Sequence, residues 1–153
     1  MEALAAVVEA SAFGTWARGS VWAYPIANLV HLLGLVMLVG GIGVVDLRLA
    51  GAWRTLPTKA LSRALTPVAV AGLALFAASG AVMFAADARA LAGADVFRLK
   101  LAVIGLALAN ALLFRWLWRE RLDKLPAAGR AMAAVSLLLW LVAAALGRLI
   151  AYR

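Results

Sequence analysis

The chain has 153 residues, enough for one ordinary domain or one small membrane bundle; 67% are hydrophobic, 14% are charged, and the formal net charge is +8. That composition leaves too little polar surface for a soluble globule and argues against a soluble enzyme, a disordered chain or a secreted disulfide scaffold. The absence of cysteine removes disulfides, thiolate nucleophiles and Cys-ligated metal centres.

Residues 2–13 read as a short helix or interfacial arm, and Glu2 and Glu9 stand where a cleaved leader carries basic residues, so the arm is expected to be retained. The first long apolar block, Ile26 to Val45, contains only Asn28 and His31 as strongly polar residues. Its twenty residues are enough to cross about 30 Å of hydrocarbon. Pro25 opens it, at a position where proline costs a helix little. Ala64 to Ala86 has no charge at all, and Pro67 is expected in its first turn. The third block, Phe97 to Trp118, has a charge-free stretch of fourteen residues, Leu101 to Phe114, and spans if Lys100 and Arg115 snorkel. The fourth runs from Ala131 to Ile150, with Arg148 near its end. Short connections with turn residues join the blocks, at Gly51–Ser62, Asp87–Asp95 and Glu120–Gly129. The expected architecture is all-α: a transmembrane up-and-down four-helix bundle with spans at about 25–46, 64–86, 97–118 and 131–150, forming one domain.

Basic residues fall between the apolar blocks rather than along one face, which favours membrane topology over nucleic-acid binding. The first and third connections with their flanks carry nine Lys and Arg, and the opposite side carries six, Arg153 among them. The positive-inside rule then puts both termini outside the cytoplasm of a bacterial inner membrane. Trp16, Trp22 and Tyr24 are expected at the outer interface, and Trp53, Trp116 and Trp118 at the inner one.

Ionisable groups inside a span are costly and tend to face the bundle interior or a cavity. Antiparallel connectivity brings His31, Lys100, Arg148 and the pair Ser79 and Met83 to the outer half of the membrane, one contribution from each helix. They are expected to line one polar cavity. His31 is a ligand, a proton relay or an interhelical hydrogen-bond partner, and snorkelling accounts for Lys100 and Arg148 as readily as a ligand does. Met83 reads equally as core filler, and Ser79 and Asn110 as packing glue. Asp46 and Arg48 read as a boundary ion pair or orientation signal. Gly40, Gly41 and Gly43 read as a site of close helix approach or a kink. No zincin motif, nucleophile elbow or carboxylate dyad lies in the spans, which argues against hydrolytic chemistry.

The run Trp22-Ala23-Tyr24-Pro25, with Asn28, His31, Gly34, Gly40 and Asp46-Leu47-Arg48-Leu49-Ala50-Gly51, resembles a family of small bacterial four-helix membrane proteins of unassigned function. Ser79-Gly80, Met83-Phe84, Lys100 and Asn110 continue the likeness over nearly the whole chain. More distantly, a histidine in the first span, a Ser-Gly turn in the second and a lysine opening the third are similar to copper-resistance D-type proteins and to small haem-containing membrane protoporphyrinogen oxidases. That resemblance implies a haem b or another porphyrin, with His31 as axial ligand and Lys100 as an essential charge. The chain's single histidine forbids bis-His ligation within one protomer, leaving five-coordinate haem or a sixth ligand from Met83 or a second protomer. Besides ligand binding, the residues admit a structural protein contacting lipids and partners without a cofactor, and a small ion or metal transporter, with His31 as metal ligand, acting as a homo-oligomer.

Overall fold

The computed structural model describes residues 2–150. Seven α-helices form among them, with no strand: α1 (Glu2–Ala10), α2 (Ala12–Gly19), α3 (Ala23–Ala50), α4 (Thr58–Ala86), α5 (Ala88–Gly93), α6 (Asp95–Trp118) and α7 (Ala127–Ile150). Four of them, α3, α4, α6 and α7, are long and apolar enough to cross a membrane. Leu29, Val36, Leu112 and Trp116 stand exposed on them, as residues facing acyl chains would. The chain is a multi-pass helical membrane protein.

The four long helices alternate in direction. One end, here the cap end, carries α1, α2 and α5; the other, the loop end, carries the α3–α4 and α6–α7 connections. The helices overrun the expected spans mostly at the loop end, so α4 begins at Thr58 and Pro67 falls in its interior rather than its first turn. Its missing N–H deprives the Arg63 carbonyl of a helical partner, an arrangement placed near the loop end of α4.

The tightest seam joins α3 and α4. A Cβ at Gly72 would stand 2.6 Å from Leu38 N and 2.7 Å from Gly34 O, and one at Gly34 would stand 2.6 Å from Phe76 N. Only glycine permits that approach, and in lipid such backbone contact replaces the hydrophobic drive that water supplies. Gly41 continues the seam, 3.1 Å from Leu65 O by the same construction, whereas Gly40 has open space. On the other side α3 packs on α7, and α7 on α6. The ring of helices is incomplete, because α4 and α6 stand apart.

The expected interfacial arm is two helices, broken at Ser11, whose hydroxyl accepts from Gly14 N at 3.1 Å and caps α2. The segment expected as a loop after the second span contains α5. Ala5 of α1 and Ala88 and Ala92 of α5 bury one another there. Glu9 accepts from Arg89 N at 2.8 Å, and the Arg18 guanidinium donates to Ala86 O at 3.3 Å and to Glu9 O at 3.0 Å. These bonds tie α1 and α2 to the ends of α4 and α5.

At the loop end Arg48 does not pair with Asp46. Its Nε donates to Leu56 O at 2.8 Å and Nη2 to Arg54 O at 3.1 Å, clamping the α3–α4 connection. Side chains two apart on a helix diverge, which explains the difference from the expected pair. Among the interfacial tryptophans, Trp16, Trp22, Trp53 and Trp116 are exposed, while Trp118 turns inward and donates to Met132 Sδ at 3.4 Å.

Candidate functional site

Polar side chains collect at two depths of the bundle, one toward each end, with the apolar layer of Leu38, Ala69, Ala107 and Trp140 between them. His31 and Asp46 mark the two levels on α3, fifteen residues or about 22 Å apart.

At the cap-end level, His31 of α3 reaches α4. Its Nδ1 lies 3.1 Å from Ser79 Oγ, and its ring stacks on Phe76 with centroids 4.0 Å apart. A Cβ at Gly80 would stand 3.2 Å from His31 Cε1, so the missing side chain there makes room for the imidazole against α4. Ser79 Oγ is 2.6 Å from Leu75 O and 3.2 Å from Phe76 O. A hydroxyl has one proton, and here a backbone carbonyl takes it. The shared hydrogen bond with His31 therefore runs from Nδ1–H to Ser79 Oγ. That tautomer leaves the lone pair on Nε2.

Lys100 of α6 completes this level. Its Nζ lies 5.3 Å from the Phe76 ring centroid, a cation–π placement, and 3.2 Å from where a Cβ would stand at Gly147 of α7. The stem is half-buried and lies within the bundle rather than running out to the interface, as a snorkelling lysine would. The stack of Phe84 on Phe97, with centroids 5.5 Å apart, bridges α4 and α6 nearer the cap end.

The structure thus brings His31, Ser79 and Lys100 together, with Phe76 as the ring on which the imidazole and the ammonium both rest. Arg148 is exposed, one residue beyond Gly147. Met83 is half-buried one turn past Ser79 on α4. Gly147 had no part in the sequence reading, although a glycine in an otherwise bulky span, at the depth of an intramembrane lysine, is a signal for it.

The loop-end level differs in kind. A cavity of about 450 Å³ opens between α4 and α6, and all four long helices line it. None of His31, Ser79, Met83, Lys100 and Arg148 lines it. Its polar groups are Asp46, Ser62, Thr66, Asn110 and Ser136, with Arg115 and Arg119 also contributing to the wall. Asp46 is buried, interacts with the Ser136 hydroxyl, and leaves Oδ2 without a hydrogen-bond partner. Asn110 Nδ2 donates to Met132 O at 3.0 Å, consistent with a packing role for that nitrogen.

Among the described residues no group of three or more His, Asp or Glu is placed to hold a metal ion. Compared with known proteins, the chain matches no family model, no curated protein and no solved structure.

Proposed function

We propose that this is a ligand-binding protein of the bacterial inner membrane whose cap-end site takes a haem, a porphyrin or a similar planar ligand bearing carboxylates. The carrying observation is the Ser79 hydrogen bond, which directs the His31 proton to Nδ1 and leaves Nε2 as a lone-pair donor. Oriented imidazoles of this kind are what metal ligation requires, because the partner of the second nitrogen fixes both tautomer and ring plane. Phe76 and the Gly80 gap hold the ring in place. The residues fit one axial ligand, His31, and one anion partner, Lys100, with Arg148 close by in sequence as a second cation for the propionates. Haem bound there would supply one-electron chemistry or gas binding. The protein's own part is to present a neutral imidazole and a fixed ammonium. With both termini outside the cytoplasm, the site belongs to the outer leaflet; reporters fused at either terminus are then active only outside.

Purified protein titrated with haemin in detergent tests the reading. A Soret band is expected that His31→Ala abolishes and that Ser79→Ala weakens by about tenfold or more in affinity, the usual effect of removing a hydrogen bond behind a ligand. Absence of a band, or one indifferent to His31→Ala, overturns it. A second reading is favoured by the same contacts: a ligand-free clamp in which His31, Phe76 and Lys100 lock the register of α3, α4 and α6. A colourless protein whose stability falls in His31→Ala supports that clamp.

A further inference from the structure

We propose a second binding site, independent of the haem reading, in the loop-end cavity: it takes an amphipathic amine, a protonated amine on an apolar body, with the ammonium on Asp46. Three observations carry this. The cavity, about 450 Å³, falls in the range of small-molecule pockets and is walled mainly by apolar side chains. Asp46 is only 5% exposed, lines this cavity, and has an Oδ2 with no partner. A buried carboxyl oxygen without a donor costs free energy, and native structures retain such groups where something else completes them.

The chemistry of the wall selects the head group. Asn110 gives one Nδ2 hydrogen to Met132 O, which fixes the amide, and its Oδ1 remains as an acceptor. Ser62 and Thr66 hydroxyls lie 3.3 Å apart and pair with each other. What Asp46 Oδ2 lacks is a donor and a countercharge, and an ammonium brings three N–H donors and one charge. The chain's own cations do not fill the role: Arg115 and Arg119 stand on the wall without an ion pair to Asp46, Arg119 pairing with Glu120 at 2.9 Å; Lys59 pairs with Asp123 at 3.1 Å, and Arg48 is occupied by the α3–α4 connection. No ion pair to Asp46 forms among the described residues.

The entrance follows from the packing. Because α4 and α6 stand apart, the cavity opens along their seam, where Val70 and Leu112 are both lining and exposed. An amphiphile dissolved in the bilayer reaches Asp46 through that gap, and its apolar body lies toward Leu73, Leu108 and Trp140.

Three probes sharing one apolar body test the proposal: 4-phenylbutylamine, 4-phenylbutan-1-ol and 4-phenylbutyrate. Each is dialysed to equilibrium against the full chain in phosphatidylcholine nanodiscs, with empty nanodiscs subtracted. The amine is expected to bind about tenfold or more tighter than the alcohol, with the carboxylate weakest, and Asp46→Asn is expected to bring amine and alcohol within about threefold. Ala111→Phe, which fills the cavity from α6 and leaves Asp46 itself unchanged, is expected to abolish binding of the amine and guards against a folding defect in Asp46→Asn. Equal retention of amine and alcohol by the wild type, or amine binding that survives either substitution, overturns the proposal.

Discussion

The two ends of the α4–α6 seam are built on opposite principles. Toward the cap end the gap is bridged: Lys100 reaches across to Phe76, Phe84 stacks on Phe97, and the one histidine is hydrogen-bonded and stacked. Toward the loop end the same two helices leave a cavity, and the one intramembrane carboxyl facing it keeps an oxygen without a partner. Polar groups in a bilayer are tolerated when something holds and satisfies them, and at the cap-end level Ser79 and Phe76 hold His31 and Lys100 in place, leaving Nε2 and the ammonium for the proposed ligand. At the loop-end level Asp46 Oδ2 has no such support, which marks a second place completed from outside the chain.

The largest effect is expected from removing the support that the two levels share. Gly72→Leu places a side chain where the α3 backbone lies, so α3 and α4 separate and carry Phe76 away from His31. A loss of about 3 kcal/mol or more is expected, at the upper end of overpacking costs. Thermal unfolding in detergent measures it, with Ala3→Leu on the exposed side of α1 as the control that changes little. An equal response of the two variants breaks the account of the α3–α4 seam.

A smaller effect sharpens the contrast at the cap. Arg18→Ala removes the bonds to Ala86 O and Glu9 O and is expected to cost about 1–2 kcal/mol. It is also expected to speed amide exchange in α1 and α2 while leaving the α3–α4 connection unchanged. Faster exchange at both ends would show that the cap is not a separate unit.

The four long helices were legible because uninterrupted apolar stretches and short polar connections leave one arrangement open. The cap-end cluster was legible for a related reason: His31, Ser79 and Lys100 are polar residues in apolar stretches, and antiparallel connectivity alone brings them to one depth. Arg148 and Met83 satisfy the same depth rule; the first is exposed and the second half-buried. The cavity was not legible, since it depends on which two of four helices fail to meet. The ion pair expected between Asp46 and Arg48 does not form, because sequence shows Arg48 as the neighbour whereas the structural neighbour is Ser136 on α7. The α5 helix escaped because Asp87 and Gly93 are turn signals, and its formation rests on packing against α1 that no local pattern records.

The central claim is that the cap-end polar level is held in place by the chain's own side chains, whereas the buried carboxyl of the loop-end level is not. Side-by-side thermal unfolding of His31→Leu and Asp46→Leu, without added ligand, tests it most directly. His31→Leu is expected to lower stability by about 2 kcal/mol, because it forfeits a hydrogen bond and a ring stack and leaves Lys100 over a disturbed site. Asp46→Leu is expected to leave stability unchanged or raise it by about 1–2 kcal/mol, since an apolar side chain replaces a buried carboxyl that lacks a full set of partners. Opposite signs, or a loss confined to His31→Leu, are the predicted result; a loss in Asp46→Leu as large as that in His31→Leu would contradict it.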